Sequence, residues 1–366
     1  MERAELQGRV SSAFKESPRL ILQFATGVGK SKIALDLAAQ LAENCPSFRI
    51  LLVVAEVAHK ENWKNEFVKW KYEGLFEKTD IITYASLKKV AGNSYDLVVY
   101  DEIHHLATET RLAYAVEVHS TRTLGLSATV GRERFNLLKE LYPDFRLMNY
   151  SLSKAIDSGI LTEPEIYAVH LELDNKIQDC EIVKTRGLKP KRIIVQCNFE
   201  ERWTWLKNPM FPNLELHIKC TQRQKYEDIN DSFEFWKNKF MRCRQEFARN
   251  KWMLAGTERK RFLGELKTST VSQFIKEIMP GKRFICFCTS IEQQLALAGK
   301  DNYINSKEKK PQITIDRFNS KKIDSLYCVG MLQEGQNLTD TPYGIIVQLD
   351  NETRRFIQKT GRLLRA

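Results

Sequence analysis

The sequence predicts an α/β protein made of two parallel-sheet domains in tandem, with a helical, basic insertion between them. Three observations carry this. Short apolar runs alternate with helical patterns over residues 1–150, the signature of a parallel sheet covered by helices. A second set of such runs returns from Arg283 onward. Between the two sets, at about residues 200–268, the pattern becomes basic and aromatic at helical spacing. The expected partition is a first domain over 1–150 and a second over 151–366 that carries the insertion.

Each element has its own warrant. "RLILQF" (Arg19 to Phe24) reads as a strand, and Ile33, Ala34, Leu37, Ala38 and Leu41 then recur as one helical stripe. "RILLVVAE" is apolar throughout, as a strand buried on both faces must be. "IITYA", "DLVVYDE" and "TLGLSAT" continue the alternation. Glu163 to Leu173 and Lys191 to Asn198 read as extended, and Thr221 to Lys267 as helical. There Phe233, Trp236, Phe240 and Phe247 fall on one helical face, with Lys237, Lys239, Arg242, Arg244, Arg249 and Lys251 among them. The aromatics are expected to pack inward and the cations to form a solvated back able to meet phosphate. In the second set, "RFICFCTS", "QITIDRF", "SLYCVGML" and "GIIVQLD" read as strands, and the chain closes on a helical "NETRRFIQKTGRLLRA".

The chain has 366 residues, with 43% hydrophobic and 28% charged, which fits a globular protein and excludes a disordered one. No apolar run reaches membrane-spanning length, and "MERAELQGRV" lacks the apolar core of a signal peptide. The expectation is a protein without a membrane partner that stays where it is made, in the cytoplasm or wherever the genome is handled. The net charge of +11 favours a polyanionic partner. Eight cysteines are scattered, and Cys286 and Cys288 would share one face of a strand without a second pair at zinc spacing. They read as reduced core thiols.

The chemistry begins at "FATGVGKS". Thr26, Gly27, Val28, Gly29, Lys30 and Ser31 follow a strand and open a helix. The glycines let backbone N–H groups curl around phosphate oxygens, Lys30 neutralises them, and Ser31 offers a hydroxyl to Mg²⁺. Phe24 stands where the general phosphate loop has its first glycine. Downstream, Asp101 ends an apolar strand, where its carboxylate can reach a metal ion opposite Ser31. Glu102 beside it can polarise an attacking water. A hydrolysable nucleotide and Mg²⁺ are therefore the expected ligands.

With these residues in hand, the chain resembles the superfamily 2 helicases and translocases of DExH/DEAH-box type. "TGVGKS" is similar to their phosphate loop, "DEIH" (Asp101 to His104) to the DEAH/DExH box, and "LSAT" (Leu126 to Thr129) to motif III. "LLVVAEVAHKENWKNEF", with Trp63 in the usual aromatic place, resembles motif Ia, and "ITYASL" motif Ib. "RFICFCTS", "LQEGQNL" and "QKTGRLLR" resemble motifs IV, V and VI. The resemblance names the nucleotide as ATP and implies two RecA-like domains with ATP between them. It implies that Gln358 orders the attacking water and that Arg362 and Arg365 reach the γ-phosphate. It assigns Gly335 and, by way of an upstream glutamine, Gln7 to ATP. His104, Ser127 and Thr129 would couple nucleotide state to strand binding. Ala55, Glu56, Thr83, Tyr84, Ser86, Thr289, Ser290, Gln336 and Asn337 would grip the strand. Lys359 departs from the usual arginine of motif VI.

The expected function is an ATP-dependent helicase or translocase, acting as a monomer on nucleic acid, with DNA favoured over RNA. The alternatives are a duplex translocase that leaves the strands paired, an RNA helicase, or a nucleic-acid clamp switched by ATP. A clamp would lack Glu102, Gln358 or the arginines, and all of these are present.

Overall fold

The computed structural model describes residues 3–43, 45–173, 175, 180–187, 193–299, 302–308, 310–330, 338 and 340–349. The first unit opens with α1 (Arg3–Glu16), β1 (Arg19–Phe24), α2 (Lys30–Ala42), β2 (Ile50–Val54) and α3 (Val57–Lys69). It continues through α4 (Glu73–Phe76), β3 (Thr79–Thr83), β4 (Ser94–Asp101), α5 (Glu109–Val116), β5 (His119–Ser127), α6 (Arg132–Leu141), β6 (Arg146–Tyr150) and α7 (Leu152–Asp157). Its six strands pair in the order β3-β2-β4-β5-β1-β6, with every neighbouring pair parallel.

Period-two alternation sends successive side chains of these strands to opposite faces. Leu20, Leu22, Phe24, Ile50, Leu52 and Val54 join the core beneath α1 and α2. Ile21, Leu51, Val53, Val98 and Tyr100 join the core on the other face. Helices cover both faces, so the strands read as unbroken apolar runs.

The second parallel sheet is smaller, in the order β11-β12-β10-β13. It is formed by β10 (Phe284–Phe287), β11 (Tyr303–Ile304), β12 (Ser325–Cys328) and β13 (Tyr343–Ile346), with α11 (Thr268–Ile278), α12 (Ile291–Leu297) and α13 (Pro311–Asn319) around it. Cys286 and Cys288 share a face, their sulfurs 3.9 Å apart, inside the cluster of Phe284, Tyr327 and Met279. The hydrogen bond with the Cys288 thiol, with burial behind it, pushes Cys286 up well above its ordinary pKa, as for a protonated core residue. "QITIDRF" is helical, not extended. Pro311 sits in its first turn and Ile315 and Phe318, three apart, are the buried pair. Its alternating isoleucines imitate a strand, but proline at a helix start decides the segment.

Between these units lies a third sheet, β7-β9-β8, from β7 (Cys180–Arg186), β8 (Ile193–Asn198) and β9 (Leu214–Cys220), with the short α8 (Arg202–Lys207) between the last two strands. The sheet mixes an antiparallel and a parallel pair. Residues 163–173, expected to be extended, form no strand. The basic segment is not one helix but two: α9 (Gln222–Cys243) and α10 (Glu246–Leu266). Thr221 and Gln224 form a reciprocal capping box at the start of α9. Arg244, at φ 53°, ends it in a left-handed turn. The aromatics then face each other across a hairpin: Phe240 stacks on Trp252 at 5.7 Å and Phe233 lies 6.1 Å from the same ring. Asp228, buried on α9, pairs with Lys184 of β7 at 2.7 Å and with Arg202 at 3.5 Å, which ties the hairpin to the third sheet.

No helix among the described residues is long and apolar enough to cross a membrane.

Candidate active site

In a parallel sheet the carboxyl ends of the strands lie along one edge, and ligands bind there. The strand order places Thr83, Ala55, Asp101, Ser127 and the loop after Phe24 along that edge in sequence. Asp101 is in register with Leu126, and Gln23 with Ser127. The acid box, motif III and the phosphate loop are thus neighbours because β5 lies between β4 and β1.

The loop is built by its glycines. Gly27 and Gly29 have φ of 92° and 99°. A Cβ on Gly29 would meet nothing within 4 Å, so its backbone conformation and not space demands glycine. Gly29 caps α2 without a side-chain hydrogen bond, which leaves the positive end of the helix to an outside acceptor. The Lys30 ammonium donates to Phe24 O at 2.9 Å, at the head of its own loop.

Facing the loop are two adjacent carboxylates. Asp101 accepts a hydrogen bond from Trp63 Nε1 at 2.8 Å, and its backbone carbonyl accepts one from the Tyr84 hydroxyl at 2.8 Å. Burial, with the Glu102 charge adding to it, pushes the Asp101 carboxyl up to about 6, while Trp63 and Lys30 oppose the rise. Glu102 has φ 51°, a left-handed conformation that is costly without glycine and turns it out of the strand. Ser127 Oγ donates to Glu102 Oε2 at 3.0 Å, and His104 Nδ1 lies 3.0 Å from Ser127 Oγ and 3.3 Å from Glu102 Oε2. Ser127 Oγ also reaches the backbone carbonyl of Thr129 at 3.0 Å. The structure therefore joins Glu102, His104, Ser127 and Thr129 in one network. The His105 ring lies tilted against that of His104, with centroids 4.3 Å apart.

Among the described residues no three His, Cys, Asp or Glu side chains form a metal cage. That fits Mg²⁺, which is held by one or two carboxylates together with substrate phosphates and not by a dedicated protein cage. The desolvated Asp101 beside Glu102 is the donor such a cation would compensate.

Several residues expected at the strand have partners within the protein. Tyr84, expected on the strand, is 2% exposed; its ring stacks on Tyr100 and its hydroxyl backs Asp101. Thr83 is buried, with its hydroxyl 3.2 Å from that of Ser86. Ser290 is buried and caps α12 by accepting the Gln293 N–H at 3.1 Å. Thr289 donates from its backbone N and hydroxyl to Gln293 Oε1, at 2.9 and 3.0 Å. Ala55 and Glu56 do reach the surface at the start of α3. Gln7 lines a cleft of about 730 Å³ between α1 and α2, with Asp36, Gln40 and Tyr72, and no residue of 26–31 lines it. Ile33, two residues beyond Ser31, lines the same cleft. Gly335, Gln336, Asn337, Gln358, Arg362 and Arg365 lie outside the described residues.

Sequence reading missed Trp63 and Tyr84 as supports of Asp101, and Gln23, whose side-chain oxygen accepts the Val130 N–H at 3.2 Å and ties β1 to motif III. It also missed Gln293, which donates to Gly264 O and to Thr268 Oγ1 while accepting from Thr289. Lys267 does similar work, donating to Val347 O at 3.2 Å and to Gln348 Oε1. The one available signal was the amide pair "QQ" in a helix that follows a strand of the second sheet.

The chain has recognisable relatives. Residues 3–132 match the family described as type III restriction enzyme, res subunit, and residues 266–366 match the helicase conserved C-terminal domain. The DNA 3'-5' translocase XPB2 of Sulfurisphaera tokodaii is 22% identical over 387 aligned residues, covering all of this chain and 79% of that protein. The crystal structure of the Pyrococcus furiosus Hef helicase domain aligns with 98% of this chain and 92% of its own, at TM-score 0.48 and 9% identity. The two family models fall in order, one over the phosphate loop and acid pair and the other over the second sheet, and together with the translocase likeness they support a superfamily 2 helicase or translocase, an enzyme class that hydrolyses ATP in dependence on nucleic acid.

Proposed function

We propose that this enzyme moves along DNA, hydrolysing ATP with Mg²⁺ in a cleft between its two parallel-sheet domains. The observation that carries the reading is the network of Glu102, Ser127 and His104 set at the strand ends next to the glycine loop. A bare nucleotide binder has no need of a carboxylate held in this way. DNA is favoured because the curated relative bears the name of a DNA translocase.

In this reading the backbone of Gly27 to Lys30 and the end of α2 hold the phosphates. Lys30 exchanges the Phe24 carbonyl for a phosphate oxygen, so the same ammonium is never left unpaired. Ser31 and Asp101 would hold Mg²⁺, which when bound would neutralise phosphate charge. Glu102 orients and deprotonates the attacking water, and Ser127 and His104 fix its carboxylate. Trp63 fixes the orientation of Asp101. By family resemblance, Gln358, Arg362 and Arg365 complete the site from the second domain. Glu56, which is exposed, is the strand contact best supported by exposure, with Ala55 half-buried beside it.

The test is steady-state ATP hydrolysis with single-stranded DNA, duplex DNA, RNA or no polymer, with Glu102→Gln run alongside. Stimulation by DNA, and a variant that binds ATP yet turns over about a hundredfold more slowly, is the expected result. Stimulation by RNA alone would overturn the DNA assignment. Full hydrolysis by Glu102→Gln would overturn the role of that carboxylate. Duplex-stimulated hydrolysis without strand displacement would mark a translocase that leaves strands paired.

A further inference from the structure

We propose that the outer half of the α9–α10 hairpin is a docking ledge for single-stranded DNA, with bases stacked on Phe235, Trp236 and Phe247 and phosphates beside Lys239 and Lys251. This rests on the DNA reading above and adds a surface to it.

The hairpin's aromatic rings divide into two sets. Phe233, Phe240 and Trp252 hold the two helices together, and the Arg259 guanidinium closes over Phe233 at 3.9 Å. Phe235 and Phe247 contribute less to that packing: they are 58% and 60% exposed. They are not scattered, however. Trp236 lies 5.1 Å from Phe235 and 5.7 Å from Phe247, both edge-to-face, so the three rings form one continuous patch that bridges the helices. Met253 and Leu254 extend the exposed apolar surface at 58% and 64%.

Charge identifies the occupant. From Phe235 to Leu254 there are six cations, Lys237, Lys239, Arg242, Arg244, Arg249 and Lys251, and one acid, Glu246. Two of the cations are interleaved with the ring patch: Lys239 Nζ lies 5.1 Å over Trp236, and Lys251 Nζ 5.7 Å over Phe247. Rings alternating with cations match a single strand, which offers a π-face and a phosphate at each nucleotide. A duplex keeps its base faces stacked away, so only its phosphates would meet this surface. The hairpin also falls outside the segments matched by the two helicase profiles, residues 3–132 and 266–366.

The ledge is fixed to the second sheet. Gly264, near the base of α10, approaches Thr289 so closely that a Cβ would lie 2.0 Å from its hydroxyl. Gln293 and Lys267 bind the same junction to the ends of β10 and β13. A strand held at the tip is thereby held by the domain that carries the second helicase profile.

The experiment measures fluorescence anisotropy with a labelled thymidine oligonucleotide of about 20 residues and an abasic strand of equal length, using the full chain and its Phe235→Ala/Phe247→Ala variant. Both phenylalanines are exposed, so the variant is expected to melt like the parent. The expected result is a loss of about tenfold or more in affinity for the thymidine strand and little change for the abasic one. A variant that binds the thymidine strand as the parent does, while DNA-stimulated hydrolysis in the parent is intact, overturns the ledge alone. A parent without any DNA stimulation overturns the DNA reading and the ledge with it. A variant whose strand binding is unchanged but whose sedimentation drops from dimer to monomer makes the patch a contact between two copies and overturns the proposal.

Discussion

Asp101 is a carboxylate placed where it is uncomfortable alone. Its folded-state pKa of about 6 exceeds the ordinary carboxylate value because burial and Glu102 both oppose its charge. A raised carboxyl pKa contributes stability that is present below the unfolded value and lost as pH rises through the folded one. At neutral pH the nucleotide-free protein therefore carries a penalty of up to about 3 kcal/mol at this residue. Asp101→Asn is expected to raise the melting temperature of the nucleotide-free protein at about pH 7.5 and to raise it less at about pH 5. Trp63→Phe removes the donor that favours the ionised form and should move the same transition to higher pH. The residues of this site were legible where chemistry dictates type at fixed spacing, as in "TGVGKS" and "DEIH". Trp63 was legible as an aromatic but not as a partner of Asp101, because 38 positions separate them and only the adjacency of β2 and β4 brings α3 to the acid.

At the scale of elements, the helix–sheet junction around Gly264 has no room to spare. Gly264→Ala should destabilise the second sheet by about 1–3 kcal/mol, the usual penalty for overpacking, and urea denaturation would measure it. Lys267 sits half-buried with its pKa lowered by desolvation, and it reaches the end of β13 just ahead of the motif VI segment. Lys267→Met keeps the stem and removes the donor. It should leave DNA binding intact while reducing DNA stimulation of hydrolysis, and comparison of anisotropy with turnover would separate the two. Elements were legible where periodicity and punctuation agreed, as in β1, α2, β2 and β4. They were misread where β-branched residues occupy a helix, as in α13. The hairpin was misread for a different reason: Arg244 turns the chain without glycine or proline, so nothing in the spelling marks the break.

For the whole molecule, a net charge of +11 makes contact with a polyanion dependent on salt. Raising salt from about 50 to about 200 mM should weaken DNA-stimulated hydrolysis about tenfold or more at subsaturating DNA, even if only about two counterions are released. Hydrolysis without DNA should change far less, and a salt titration of both would show the gap. The tandem α/β organisation was legible because both sheets repeat the same alternation of strand and helix. Of the third sheet only β8 was legible, as the extended run Lys191 to Asn198; β7 was not, since its charged and apolar residues alternate on a half-exposed strand.

The left-handed turn at Arg244 gives the hairpin its reach. Each of its helices, at 22 and 21 residues, is about 33 Å long. Pivoting such an arm by about 6° at the Gly264 end displaces its far end by about 3.4 Å, the rise of a single nucleotide in duplex DNA. On the ledge reading, a rotation of the second sheet of that size would carry a strand held at the tip forward by one base.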